Sequence, residues 1–258
     1  MEVRKVTRDL QVVSRITLNR RHFLLDLHDP EQIPLILPGQ FVQALVEDSP
    51  ATFLRRPFSV HTVDYASNTL RLLIQIKGPG TLRLSRLEAG DRLNLIYPLG
   101  NSFSLPRDGR VLLIGGGCGV APLLFLARFL SQNRIRPDIL VGFRTREEVS
   151  ETEEYSRYGN LHVITDDGTE GEKGLVTDHS ILQKEHLPYS RIYCCGPDPM
   201  MKAVGKITRM HNIDCEVSLE NTMACGFGVC LCCITPTDKG NERVCMEGPV
   251  FNLNRLKW

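Results

Sequence analysis

The sequence carries almost no net charge, since 31 Lys and Arg against 30 Asp and Glu leave +1 over 258 residues. It has no basic run that would track a nucleic-acid backbone and no acidic tail, so neither nucleic acid nor another polyanion is expected as a partner. An uninterrupted apolar stretch of membrane-span length is also missing. Val111 to Leu130 comes nearest, but Gly115, Gly116, Gly117 and Gly119 break it and Arg128 charges it, which predicts a buried strand, turn and helix and no membrane partner. Met1 to Leu10 mixes charged and apolar residues and lacks the apolar centre of a signal peptide, so a cytoplasmic protein is expected. Internal repeats and low-complexity segments are absent. The length suffices for two domains of ordinary size, or two and a small metal module.

Cysteine, by contrast, is plentiful, with nine residues. Their odd number and the length of the chain argue against a disulfide framework. Cys225, Cys230, Cys233 and Cys245 give the spacing C-x4-C-x2-C-x11-C, whose first three members match the plant-type ferredoxin loop around a 2Fe-2S cluster. Structural zinc is the rival, but it usually draws separated C-x2-C pairs, whereas here three ligands share one short loop. A cluster held by four thiolates is negatively charged and calls for backbone N–H donors around its sulfurs. Gly226 and Gly228 allow that close wrapping through positive φ. Using Cys232 instead of Cys233 would break the spacing, so Cys232 is expected to be a non-ligand. Cys118, Cys194, Cys195 and Cys215 read first as buried small hydrophobes.

The first hundred residues read as short strands. Arg15–Leu18, Phe23–Leu27, Phe41–Val46, Leu70–Ile76 and Leu93–Tyr97 carry apolar runs or alternation, with turn clusters such as Pro38-Gly39 between them, and an antiparallel barrel is predicted. Gly78-Pro79-Gly80-Thr81 is a glycine-rich turn between the strand Leu70–Ile76 and a helix expected over Thr81–Leu87. A helix start reached through glycines is a ready anion site. A second domain is expected from Pro106. There Val111–Ile114 is a buried strand, and Gly115-Gly116-Gly117-Cys118-Gly119-Val120-Ala121-Pro122 turns it into a helix running to about Leu130. Four glycines in five positions point to a nucleotide-phosphate turn, although not to the usual G-x-G-x-x-G fingerprint. Ile139–Arg144, Leu161–Thr165 and Arg191–Cys195 add further strands, whose carboxyl ends should face a ligand in an open parallel sheet. Asp166-Asp167-Gly168 reads as a loop tip and His211 as a surface histidine.

Taken in order, Arg56-Pro57-Phe58-Ser59, Gly78-Pro79-Gly80-Thr81, the glycine turn through Pro122, Cys194-Cys195-Gly196-Pro197 through Met200, and the cysteine loop resemble one family over nearly the whole chain. It is the family of electron-transfer subunits of NAD-dependent dihydroorotate dehydrogenase B, in the ferredoxin-NADP reductase superfamily. The most specific stretch runs from Glu220 through Met223 and the cysteine loop to Gly248-Pro249-Val250-Phe251.

The resemblance implies a mixed β and α/β chain: an antiparallel flavin-binding barrel over 1–105, a parallel-sheet α/β NAD-binding domain over 106–213, and a small 2Fe-2S module over 214–258. It implies FAD held by Arg56, Pro57, Phe58 and Ser59, by Leu73, Ile74 and Gln75, and by Gly80 and Thr81. An arginine can clamp the pyrophosphate through charge-assisted bonds, and Ser59 can reach the flavin edge. NAD, as exchangeable acceptor, would meet Gly115, Gly116, Gly117, Gly119 and Pro122, then Gly196 and Pro197, with Cys195 beside the nicotinamide. Arg144 and Arg146 could instead meet the 2′-phosphate of NADP. The implied partner is an FMN-containing catalytic subunit that oxidises dihydroorotate, in a heterotetramer of two of each chain. Electrons would pass from FMN through the cluster to FAD and NAD⁺. Two alternatives remain open: a superfamily relative coupling NAD(P)H to ferredoxin, sulfur or sulfite chemistry, and a redox-sensing regulatory subunit.

Overall fold

The computed structural model describes residues 5–49 and 52–258, so the first four residues of the N-terminal segment lie outside the described part. Six strands close an antiparallel barrel in the order β1-β2-β5-β4-β3-β6. They are β1 (Val6–Thr17), β2 (His22–His28), β3 (Phe41–Ala44), β4 (Arg56–Asp64), β5 (Thr69–Gln75) and β6 (Arg92–Leu99). Strand periodicity decides which side chains fill it. Leu10 and Val12 of β1 point inward while Asp9 and Gln11 face out. In β2 and β5 both faces are apolar for a reason: Phe23, Leu25, Leu72 and Ile74 fill the barrel, whereas Leu24 and Leu73 turn outward into the core of the next unit. The short helix α1 (Pro79–Leu84) starts two residues earlier than the sequence suggests, because Pro79 fits the first helical turn, where its missing N–H is not needed.

A seven-stranded sheet follows, in the order β10-β9-β8-β7-β11-β12-β15. Its strands are β7 (Arg110–Gly116), β8 (Asp138–Phe143), β9 (Asn160–Thr165), β10 (Glu172–Lys173), β11 (Tyr189–Cys195), β12 (Asp214–Ser218) and, after the hairpin β13 (Ile234–Thr237) and β14 (Gly240–Arg243), β15 (Val250–Asn252). All neighbours are parallel except β12 and β15. A 3₁₀ turn over Gly117–Val120 leads into α2 (Ala121–Gln132), and α3 (Thr152–Tyr158) and α4 (Asp198–Met210) complete the crossovers. The chain runs outward from β7 to β10 and then returns to β11 on the other side of β7. That reversal opens a crevice at the carboxyl ends of β7 and β11. The segment 214–258 does not form a separate layer, because β12 and β15 extend this sheet through buried Val217 and Phe251.

The units are packed together. Phe125 of α2 sits in the barrel's apolar cluster, and Arg128 of the same helix donates to the Val63 carbonyl at 3.3 Å. Behind β6, Gly100 takes φ +72, and a Cβ there would lie 2.5 Å from Pro249. Only glycine lets the Gly248–Phe251 segment close over the end of the barrel.

Candidate functional site

The first cavity, of about 410 Å³, opens between the barrel and the start of the C-terminal segment. Arg56, Pro57, Phe58 and Ser59 of β4, Leu73 and Gln75 of β5, and Gly80 and Thr81 of α1 line it together. Ile74 does not, since alternation along β5 turns its side chain into the barrel. Arg56 makes only local contacts, its Nη1 donating to the Leu54 carbonyl at 3.1 Å. Among the described residues no carboxylate pairs with it, so its charge is available to an anion in the cavity. A Cβ on Gly80 would lie 2.9 Å from Thr52 Cγ2 and 3.6 Å from Arg56 Nε, so glycine keeps that corner open. Thr81 Oγ1 accepts from the Lys77 and Gly78 amides at 2.8 and 3.2 Å and ties the turn together.

The second cavity, of about 770 Å³, occupies the crevice at the ends of β7 and β11. Gly116, Gly117, Gly119 and Pro197 line it, whereas Gly115, Pro122 and Gly196 do not. The glycines serve different ends. A Cβ on Gly116 would strike Met200 Sδ at 2.4 Å, and one on Gly119 the Cys195 carbonyl oxygen at 2.4 Å, so these two are demanded by packing. Gly117, at φ +54 with nothing near its missing Cβ, is the one whose backbone faces open space. Pro122 sits in the first turn of α2 and sets the direction of that helix. Arg144 lines the cavity, but Arg146 pairs with Glu170 at 3.5 Å and does not. Asp166, expected as part of a loop tip, also lines it. The Cys195 thiol is 1% exposed and lines neither cavity, so the expectation that it stands beside a bound ring is met only by its backbone, which supports Gly119. Burial and the Glu220 charge hold that thiol well above its ordinary pKa, against a hydrogen bond with Ser218.

Gln75, Lys77, Cys118 and Glu220 line both cavities, so the two compartments meet at a common wall. Burial pushes the Cys118 thiol up to about 12, with the Glu220 charge adding and Lys77 opposing. Desolvation in the cleft raises the Glu220 carboxyl, although the residue keeps an exposed edge, while Lys77 pulls it down and Asp198 pushes it further up. Sequence reasoning placed Gln75 at the flavin but missed the shared wall: Glu220 appeared only through the cysteine motif, Cys118 read first as a buried small hydrophobe, and Lys77 was not singled out.

The cysteine loop fits a two-iron cluster. All nine cysteines are free thiols. Gly226 and Gly228 adopt φ +78 and +90, as the wrapping requires. Burial pushes the Cys225 thiol up, but backbone donors at Cys230, Phe227 and Val229, with the Cys230 thiol, outweigh it and bring Cys225 down to about 6. Cys233 and Cys245 are buried, and the Cys245 amide donates to Cys233 Sγ at 3.4 Å. Burial, then the hydrogen bond and charge of Cys233, push Cys245 up to about 12. The loop supplies the four thiolates that two irons need, although among the described residues the sulfurs are not drawn together into one metal-holding group, and the Cys245 N–H on Cys233 Sγ is the kind of donor a negative cluster needs. Cys232 is exposed, and its thiol donates to the Thr222 carbonyl instead.

Residues 220–257 match the family model described as the iron-sulfur cluster binding domain of dihydroorotate dehydrogenase B, and residues 113–206 match the oxidoreductase NAD-binding domain. The dihydroorotate dehydrogenase B (NAD(+)) electron transfer subunit of Geobacillus kaustophilus is 38% identical over 225 residues, covering 85% of this chain and 86% of that one. The subunit of the same name from Geobacillus thermodenitrificans is 34% identical over 253 residues, covering 96% and 97%. Among solved structures, a chain of the NADH-dependent reduced ferredoxin-NADP oxidoreductase superposes with a TM-score of 0.87 at 28% identity, covering 96% of this chain and 90% of that one. A ferredoxin NADP⁺ reductase from Neisseria gonorrhoeae with bound FAD and NADP shares the fold, with a TM-score of 0.67 at 20% identity over 80% of this chain and 91% of that one. By its sequence, its barrel and sheet, and its cysteine loop, the chain belongs to the family of dihydroorotate dehydrogenase B (NAD(+)) electron transfer subunits.

Proposed function

We propose that this chain carries electrons from the FMN of a dihydroorotate-oxidising catalytic subunit, through a 2Fe-2S cluster and FAD, to NAD⁺ in pyrimidine biosynthesis. The observation that carries the reading is the common wall of Gln75, Lys77, Cys118 and Glu220, where two ligand-sized cavities meet. A flavin in the first cavity and a nicotinamide in the second can come into contact only there. Bound FAD supplies the step between one-electron and hydride chemistry. The residues supply binding and exclusion of water: Arg56 neutralises the diphosphate, Leu73, Gln75, Phe58 and Ser59 flank the ring, and Gly80 and Thr81 shape the turn under the phosphates. Ile74 contributes through its backbone. In the second cavity Gly116, Gly117, Gly119 and Pro197 receive the dinucleotide, and Gly115, Pro122, Cys195 and Gly196 position them. Cys225, Cys230, Cys233 and Cys245 hold the cluster.

The division of labour follows 1–105 for FAD, 106–213 for NAD and 214–258 for the cluster, the last sharing two strands with the sheet of the second. No helix among the described residues is long and apolar enough to cross a membrane, and the working location is the cytoplasm. The partner is the FMN-bearing subunit, in an assembly of two of each chain. The structural similarity to the ferredoxin-NADP oxidoreductase keeps one other activity in view, NAD(P)H-linked ferredoxin reduction. The test is reconstitution with the FMN-bearing subunit. Dihydroorotate oxidation that requires NAD⁺ and both chains supports the proposal, and ferredoxin reduction without it selects the other activity.

A further inference from the structure

Gln43 is fully buried in β3, opposite Pro57 of β4, and neither its Nε2 nor its Oε1 has a hydrogen-bond partner among the described residues. A buried carboxamide with both ends unpartnered is rare in folded proteins and calls for an explanation. Alternation along β3 supplies the setting. Val42 and Ala44 face the barrel core, whereas Phe41, on the same face of the strand as Gln43, packs in one apolar cluster with Met223, Cys233 and Cys245. Gln43 is thus a polar side chain on a face where packing alone calls for an apolar one. Its amide end lies against the cysteine loop: a Cβ on Gly226 would stand 2.5 Å from Gln43 Cγ and 2.6 Å from Nε2. Gly226 directly follows Cys225, and Pro57, the cross-strand neighbour of Gln43, lines the first cavity.

We propose that Gln43 is a positioning residue for the iron-sulfur site, its carboxamide N–H donating to a sulfur at the Cys225 end, on the side of the flavin cavity. The inference rests on the reading of the four cysteines as cluster ligands. A reduced cluster carries one more negative charge than the oxidised one, so a donor to its sulfur stabilises the reduced form more and raises the reduction potential. Gln43 takes up no proton and breaks no bond as the single electron arrives and leaves.

The experiment uses the full chain with its flavin and cluster, as wild type and as Gln43→Leu and Gln43→Met. Iron and acid-labile sulfide are measured first, then the cluster's midpoint potential, then exchangeable-proton and nitrogen couplings in pulsed EPR of the reduced cluster with ¹⁵N-labelled glutamine side chains. The expected result is a retained cluster whose one-electron reduction equilibrium becomes about tenfold less favourable, a fall of about 59 mV, with loss of a proton coupling and a ¹⁵N coupling that wild type shows. An unchanged potential and unchanged couplings in a variant that keeps its cluster overturn the inference while leaving the cysteine assignment intact. Wild-type protein without iron and sulfide overturns the cysteine assignment itself. Should neither variant fold, the absence of a ¹⁵N glutamine coupling in wild type overturns the role of Gln43.

Discussion

His61 of the barrel stands with Nε2 3.0 Å from Oε2 of Glu151 in the nucleotide-binding unit, both side chains almost wholly buried. On its other side His61 Nδ1 is 2.7 Å from the Ala121 carbonyl oxygen, at the start of α2. Neither Nε2 nor Oε2 has a hydrogen-bond partner by geometry among the described residues, so each is the other's nearest polar counterpart, and the pair joins the two cavities' host units at the face where α2 meets β4. Removing one partner leaves the other buried without that counterpart, at a cost of about 1–3 kcal/mol. His61→Leu and Glu151→Met are each expected to lower the denaturation midpoint strongly, and the double variant to recover much of the loss. A double-mutant cycle in urea checks this, and additive single effects would show that the two side chains do not interact.

Cys225→Ser, Cys230→Ser, Cys233→Ser and Cys245→Ser are each expected to lose or destabilise the iron-sulfur chromophore. Cys232→Ser should keep it, since that thiol is exposed and turned to the Thr222 carbonyl. Iron and sulfide analysis of anaerobically purified protein decides the matter. Zinc without sulfide in the wild type would contradict it.

Arg56 lines the first cavity with no carboxylate partner among the described residues, and two charge-assisted bonds to a diphosphate contribute about 1.5–3 kcal/mol each. Arg56→Ala should therefore weaken FAD binding at least about tenfold. Arg56→Lys should restore part of the loss, because it keeps the charge but not the planar fork. Flavin retained after dialysis, read by absorbance, is the measurement, and wild-type retention in Arg56→Ala would count against the site.

The Glu220 carboxyl is raised chiefly by desolvation, against the pull of Lys77. A carboxyl whose folded pKa exceeds its unfolded one, about 4.3, binds more protons in the folded state between the two values. Stability then falls as pH rises through that window. Glu220→Gln should be more stable relative to wild type at pH 7 than at pH 4. Thermal melts across pH report it, and a pH-independent difference would refute the sign.

A cluster-free variant such as Cys230→Ser, with FAD still bound, should retain much of the NADH-to-dye activity and lose NAD⁺-dependent dihydroorotate oxidation in the reconstituted complex. The dye reaction uses only the two cavities that share the Gln75–Glu220 wall. Parallel loss of both activities with FAD in place would overturn the order proposed for the carriers.

Short-range patterns carry much of this protein. The cysteine spacing was legible because the loop's geometry is set within a few residues, down to the positive φ of Gly226 and Gly228. The glycine turn after β7 was legible for the same reason, and barrel strands showed as apolar runs and alternation. What each glycine does was not legible. Gly116 and Gly119 are fixed by Met200 and Cys195, some eighty residues distant along the chain, and of the glycines in that turn only Gly117 has open space at its missing Cβ. Likewise the wall shared by the two cavities draws on β5, the turn after β7 and the residues beyond β12, and Gln43 meets Gly226 only because β3 lies under the cysteine loop. Local sequence encodes backbone preference and the chemistry of each side chain. Which distant side chains share a surface is set by strand pairing and core packing, and that the tertiary structure alone decided.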